Sequence, residues 1–392
     1  MNKIFSKTHA AKVSMIFMCA VFFLCAGGCT TKQIKTVEEK PAYFDELVPA
    51  SRHISASLAR QLEVIYTDKK PAIVVDAFFN EQSAEVSVAG RTLQDSIVES
   101  LSKSTPSWPA TLLGVKSLQK AQLVVGGTYK LLSGDSKHST RWMAVKTQVQ
   151  NIMTGQVIAQ SEVFVDSKKF DAELIKFYKD APMYMKTVLQ KPHESFNPDR
   201  LALNAKLADA REAYESGDFT SAEKSFSEVL VQVNGKNFVA LSGLYQSLIR
   251  LNRLAEAEKA FGNLVDFGLE SGSLSLKFLF KVGSTDFLAK DDLSTQYPLW
   301  IRQIAQQLSS KKLCLNVNGH ASRTGSPELN ERLSLQRAER IVVQLKKASP
   351  SLSSGRLKAF GKGFRENIVG SGTNDTLDAI DRRVDFDVTS CK

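Results

Sequence analysis

The chain has 392 residues, 43% of them hydrophobic, and carries a net charge of +10 from 51 basic and 41 acidic side chains. That length leaves room for two or three domains. Five scattered histidines, with no Cys-x-x-Cys or His-x-x-x-His spacing, argue against a metal site, and no cofactor is expected.

The first 28 residues hold Lys3, Lys7 and Lys12, an apolar run from Val13 to Cys25, and the small residues Ala26-Gly27-Gly28. A basic head, an apolar core and small residues at a cut describe a secretory signal peptide. The run falls short of the ~20 residues that a spanning helix needs. Cys29 directly after the small residues resembles the bacterial lipobox, which implies lipidation of Cys29 and cleavage before it. Thr30 in place of aspartate implies the outer membrane, periplasmic face, with the membrane as a partner through the lipid. Residues 29–42 are polar and read as a tether.

Residues 43–168 read as a small α/β domain. Pro71–Phe79 is a β-branched run expected as a buried strand, and Leu93, Ile97, Val98 and Leu101 give Arg91–Ser102 a helical period. Ala121–Leu132, Arg141–Ile152 and Val157–Val165 are expected as strands, the last two joined in a hairpin at Thr154-Gly155. Gly126-Gly127-Thr128-Tyr129 and Asn151-Ile152-Met153-Thr154-Gly155-Gln156-Val157 resemble features of FlgO-like and CsgG-like envelope lipoprotein domains. Residues 169–200 are lysine- and proline-bearing and read as a linker with a short helix. In residues 201–268, Ala222 and Ala257, and likewise Phe226 and Phe261, stand 35 positions apart. That spacing is near the 34-residue period of tetratricopeptide-like helical hairpins.

Residues 269–392 carry the basic excess, with 19 basic and 12 acidic residues from 275 onward. The expected order is strand Leu276–Val282, helix Tyr297–Leu308, strand Leu313–Val317, helix Pro327–Leu345, strand Leu357–Gly361 and strand Arg383–Val388. The stretch Gly319-His320-Ala321-Ser322-Arg323-Thr324-Gly325 leads into a helix on which Asn330, Ser334 and Arg337 share one stripe, at i, i+4 and i+7. A hydroxyl-bearing loop facing that stripe suits a carboxylate ligand, with Arg337 as the fork. The stretch from Gly319 to Ala338 resembles the signature of the OmpA C-terminal-like peptidoglycan-binding domain, and the element order matches its βαβαββ architecture. The fold class is therefore α+β and multidomain: the FlgO-like domain, tetratricopeptide-like hairpins and the OmpA-like domain.

The resemblance implies peptidoglycan as partner, through the diaminopimelate of its peptide stem. Arg337 stands at the family's arginine and Ser322 at its acid, so Ser322 offers only a neutral hydrogen bond. Asn330 matches the family asparagine, Arg382-Arg383 its terminal arginine pair, and Thr285 lies near the polar residue after its first strand. Ser334 completes the stripe. The loop Gly370–Asp378 is a candidate source of the missing anion, through Asp375 or Asp378. In the family the fourth strand runs antiparallel beside the second, which implies that Cys314 and Cys391 come together; a disulfide and two unpaired thiols are both compatible with the sequence. No nucleophile-and-base motif is present, His320 is a scaffold residue in the family, and no catalytic residue is assigned. An anionic wall polymer fits the basic C-terminal region better than nucleic acid does. Two functions follow. One is a wall-binding lipoprotein that tethers envelope or flagellar assembly components. The other is an adaptor that works on unidentified envelope proteins through its middle regions, with a degenerate wall-binding module.

Overall fold

The computed structural model describes residues 42–105, 107–132, 141–184, 198–272, 274–288, 293–311, 313–352, 355–367, 381–389 and 391. The signal segment, Cys29, nearly all of the tether and the Gly370–Asp378 loop lie outside these residues.

Six strands form the first sheet: β1 (Ala42–Phe44), β2 (Ile73–Asn80), β3 (Ala110–Leu112), β4 (Leu123–Leu131), β5 (Trp142–Asn151) and β6 (Val157–Asp166), in the order β1-β6-β5-β4-β2-β3. β4, β5 and β6 are an antiparallel meander, while β1 and the β2–β3 pair run parallel to their neighbours. At the β5–β6 turn the side chain of Asn151 accepts the amides of Met153 and Thr154, and Gly155 takes a φ of 69°. Helices α1 (Leu47–Ile65) and α2 (Val88–Ser102) cover one face and enclose an apolar core that includes Ile54, Leu58, Leu93 and Ile97. Helix α2 begins a turn before the sequence expectation because Ser87 caps it, accepting the Gly90 amide at 3.1 Å. Helix α1 was not among the expected elements, although Ala50, Ile54, Leu58 and Leu62 recur every four residues. The one-turn helix α3 (Val115–Leu118) follows β3.

Helix α4 (Lys176–Asp180) interrupts the connector, whose residues 182–184 lie against the second sheet. Four helices follow: α5 (Pro198–Glu215), α6 (Phe219–Gln232), α7 (Phe238–Arg250) and α8 (Leu254–Glu270). The fully buried pairs Ala222/Phe226 and Ala257/Phe261 sit on α6 and α8. Gly243 lets α7 approach α6, since a Cβ there would stand 2.4 Å from the Phe226 ring.

The C-terminal region runs β7 (Leu274–Leu276), α9 (Tyr297–Lys311), β8 (Cys314–Gly319), α10 (Pro327–Ala348), β9 (Leu357–Gly361) and β10 (Val384–Thr389), with strand order β7-β10-β8-β9. One expectation is corrected here: the strand placed at Leu276–Val282 ends at Leu276. Beyond it the chain leaves the sheet and closes a small hairpin at the Phe280–Phe287 bridge, turning at Gly283 with a φ of 64°. The other edge of β7 is taken by the connector, through Met183 opposite Leu276 and main-chain bonds from Tyr184 to Ser275 and from Lys277 to Pro182, both 2.9 Å. Cys314 and Cys391 are disulfide-bonded with a Cα–Cα distance of 5.2 Å, because β10 runs antiparallel to β8 and sets Thr389 opposite Cys314. The helices, the connector and this sheet share one apolar core, in which Phe261 of α8 stacks on Trp300 of α9 at 5.6 Å.

Candidate functional site

The end of β8 and the start of β10 meet at Gly319 opposite Val384, and the residues singled out by the sequence gather there. Helix α10 is capped by Ser326, which accepts the Leu329 amide at 3.2 Å, and Pro327 occupies its first turn. The apolar residues Leu333, Ala338, Ile341 and Leu345 press one face of α10 into the core, and Asn330, Ser334 and Arg337 are buried with them. Gly319 is required by this packing: a Cβ would stand 1.8 Å from the carbonyl oxygen of Ser334.

Arg337 is the centre of the site. Its guanidinium donates to the main-chain oxygens of Ser284 (3.1 and 3.0 Å), Lys281 (3.0 Å) and His320 (3.2 Å), and lies 5.1 Å over the Phe280 ring. No carboxylate pairs with it among the described residues. Burial, and then the neighbouring Arg382, push its pKa down to about 9, so it remains charged at neutral pH. A buried cation satisfied only by carbonyl dipoles favours an incoming anion, which would supply the missing counter-charge. The hairpin that provides two of those oxygens is also pinned to α10 by Arg340, 3.0 Å from Asp286.

The remaining predicted residues divide. Ser322 is buried, and its hydroxyl shares a 3.1 Å bond with that of Thr324, whose carbonyl accepts from the Asn330 amide at 3.0 Å. These three set uncharged polar groups beside Arg337, while Arg323 between Ser322 and Thr324 is exposed. The Ser334 hydroxyl is engaged within the protein: it donates to the Glu331 carbonyl and accepts the Gly363 amide at 2.9 Å, which fastens the chain after β9 to α10. Thr285 sits in the hairpin, but the atom that reaches Arg337 is the carbonyl of Ser284 before it. Arg383 is buried and engaged within the protein, 3.2 Å from the Asp385 carboxylate and donating to the Glu366 carbonyl at 3.0 Å.

Asp385 was missed by sequence reasoning. Its carboxylate gathers Arg383, the His320 imidazole at 3.2 Å and the Ser275 hydroxyl, and so joins β7, β8 and β10. The alternation Arg383-Val384-Asp385 on a strand is the signal that sets both charges on one face. This network braces the loop that carries Ser322. The Ala321 amide also bonds the Gly363 carbonyl at 2.8 Å, and the His320 amide bonds that of Arg383 at 3.0 Å.

Comparison with known families bears on this region. Residues 279–379 match the OmpA family. The OmpA-like region thus begins in the Phe280–Phe287 hairpin and includes the whole loop-and-helix site. Among solved structures, the chain is similar to the peptidoglycan-associated lipoprotein from Burkholderia pseudomallei, at 23% identity and a TM-score of 0.25, covering 30% of this chain and 90% of that one. It is similar to the periplasmic domain of Helicobacter pylori MotB at 19% identity and a TM-score of 0.24, covering 30% and 70% respectively. It is also similar to the cell wall anchor of the T6SS from Pseudomonas aeruginosa, at 22% identity and a TM-score of 0.24, covering 30% and 80%. No curated protein matches the sequence.

Proposed function

We propose that this protein is an outer-membrane lipoprotein, anchored through Cys29, that binds peptidoglycan non-covalently through its OmpA-like region and tethers envelope or flagellar components to the wall. It acts as an anchor and not as an enzyme. The FlgO-like residues 43–168 and the tetratricopeptide-like residues 201–268 serve in this reading as the surface for envelope proteins. The observation that carries it is Arg337: a buried guanidinium without a carboxylate partner among the described residues, beside the Ser322 and Thr324 hydroxyls. A stem-peptide carboxylate is the ligand chemistry that complements such a group.

Two features favour the adaptor reading instead. Serine replaces the family acid at Ser322, and the Arg337 fork is already engaged by the hairpin carbonyls. A sacculus co-sedimentation assay separates the two. On the anchor reading Arg337→Ala weakens binding by about tenfold or more, since a charge-assisted bond contributes ~1.5–3 kcal/mol, and Ser322→Asp strengthens it. Equal sedimentation of both variants and the wild type would favour the adaptor.

A further inference from the structure

Among the described residues, helix α5 packs on one half of the outer face of the first sheet. Leu201 and Ala205 of α5 pack on Val74 and Val124, over β2 and β4. On the other half, register brings Tyr43 of β1 beside Phe164 of β6, and Phe164 beside Ala144 of β5. The ring of Tyr43 stands 4.8 Å from that of Phe164 and meets Trp142 edge-on at 5.0 Å. Tyr43 is 61% exposed while Ala144 beneath the rings is buried, so the cluster lies on the sheet as a raised aromatic corner. Of the three tryptophans in the chain, Trp108 and Trp300 are fully buried and Trp142 is half-exposed.

Basic side chains flank the rings. Arg141, Lys168 and Lys169 are exposed at the same end of β5 and β6, held together by the 2.9 Å bond from the Ser167 amide to the Arg141 carbonyl. Acids share this end: Asp45 and Glu46 are exposed just past β1, and Asp166 caps the Lys168 amide. Tryptophan and tyrosine, with an apolar body and a polar tip, concentrate at the headgroup level of bilayers, and neighbouring lysines are drawn to anionic headgroups.

We propose that this corner, Tyr43, Trp142 and Phe164 with Lys168 and Lys169, is a docking surface for an anionic phospholipid bilayer. The choice of a bilayer over other occupants rests on the exposed interfacial aromatics and on place. β1 is the sheet edge at which the chain arrives from Cys29, 13 residues before Ala42. That length spans at most ~45 Å when extended. The positional argument rests on the reading of Cys29 as the lipid anchor; the aromatic and basic surface does not. Docked in this way, the first sheet lies on the membrane.

The test uses residues 30–392, which lack Cys29 but retain every described residue from Ala42 onward. Vesicles of phosphatidylethanolamine and phosphatidylglycerol, with brominated acyl chains, should quench the Trp142 emission and carry the protein down on sedimentation. Tyr43→Ser should weaken sedimentation by about tenfold, and Lys168→Ser with Lys169→Ser by about twenty-five-fold at low salt, near fivefold for each lysine. Unchanged thermal melts would confirm that these exposed-site variants are folded. Absence of quenching, or binding indifferent to Tyr43→Ser, would overturn the proposal. So would self-association abolished by Tyr43→Ser, or quenching of Trp142 by soluble glycan strands in place of vesicles. Each of these results leaves the Arg337 and Cys29 readings standing, because the protein tested carries no lipid and the assay contains no stem peptide.

Discussion

The first sheet hides Ile54, Leu58, Leu93 and Ile97 under its helices, whereas the C-terminal sheet hides His320, Arg337, Arg383 and Asp385 where β8 and β10 meet. Burying aliphatic side chains stabilises at about 25 cal/mol per Å2, with no demand on geometry. Burying charges costs several kcal/mol per ion unless each is matched. In the C-terminal sheet Arg383 is matched by Asp385, and Arg337 is matched only by dipoles. The first sheet's helices seal an apolar core, and the C-terminal sheet holds a guanidinium that no carboxylate among the described residues balances.

The strongest way to break this contrast lies at the seam between the regions. Lys277, just past β7, is buried 3.4 Å from Glu85 of the first region, under the Tyr184 ring, and donates to the Tyr178 carbonyl. Burial raises the Glu85 carboxyl above its ordinary range, against the pull of Lys277. Lys277→Ala should lower the unfolding free energy by about 3–5 kcal/mol, and the double change Glu85→Leu with Lys277→Met should recover most of it. Urea titration of the three variants checks this. Equal losses in the single and double variants would show that packing, not charge, holds the seam.

Next comes the disulfide. Cys314 and Cys391 are separated by 77 positions, and opening the bond should cost up to ~4 kcal/mol in the chain-entropy model. Denaturation with and without reductant measures it, and the loss should fall on the C-terminal sheet, followed through Trp300, more than on the first sheet. A smaller effect belongs to the helices between. Asp218 caps α6, accepting the Ser221 amide at 3.0 Å, so Asp218→Ala should cost about 1 kcal/mol by thermal melting and leave ligand binding unchanged.

Much of this was legible from residue order, for local reasons. β4, β5 and β6 are apolar, β-branched runs, the last two joined at Thr154-Gly155, and α10 is announced by Ser326-Pro327. The order of the C-terminal elements and the meeting of Cys314 with Cys391 followed from a family resemblance. What escaped depends on distant partners. Leu274–Val282 alternates like one strand, yet β7 stops at Leu276, where Lys277 turns to Glu85 and the connector takes the sheet edge. Ser334 looked like a ligand residue because it shares the stripe with Arg337, but the Gly363 amide claims it. Arg337 was singled out by its spacing, and it is buried where β8 and β10 meet. Its partners were not foreseen, because main-chain oxygens of a hairpin leave no signature in residue types.

The central claim is that Arg337 is a charge awaiting a carboxylate and not a structural rivet. Arg337→Met keeps the length and apolar bulk of the side chain while removing the charge. Arg337→Met leaves the Ser284, Lys281 and His320 carbonyls without their donor, so the unliganded variant should lose about 1–3 kcal/mol of unfolding free energy. The deciding measurement is the shift in unfolding free energy on adding a muropeptide with free stem carboxylates. At a hundredfold excess over its Kd, a ligand that binds only the folded state stabilises by about 2.7 kcal/mol. The account predicts that shift for the wild type and none for Arg337→Met; equal shifts in both proteins would contradict it.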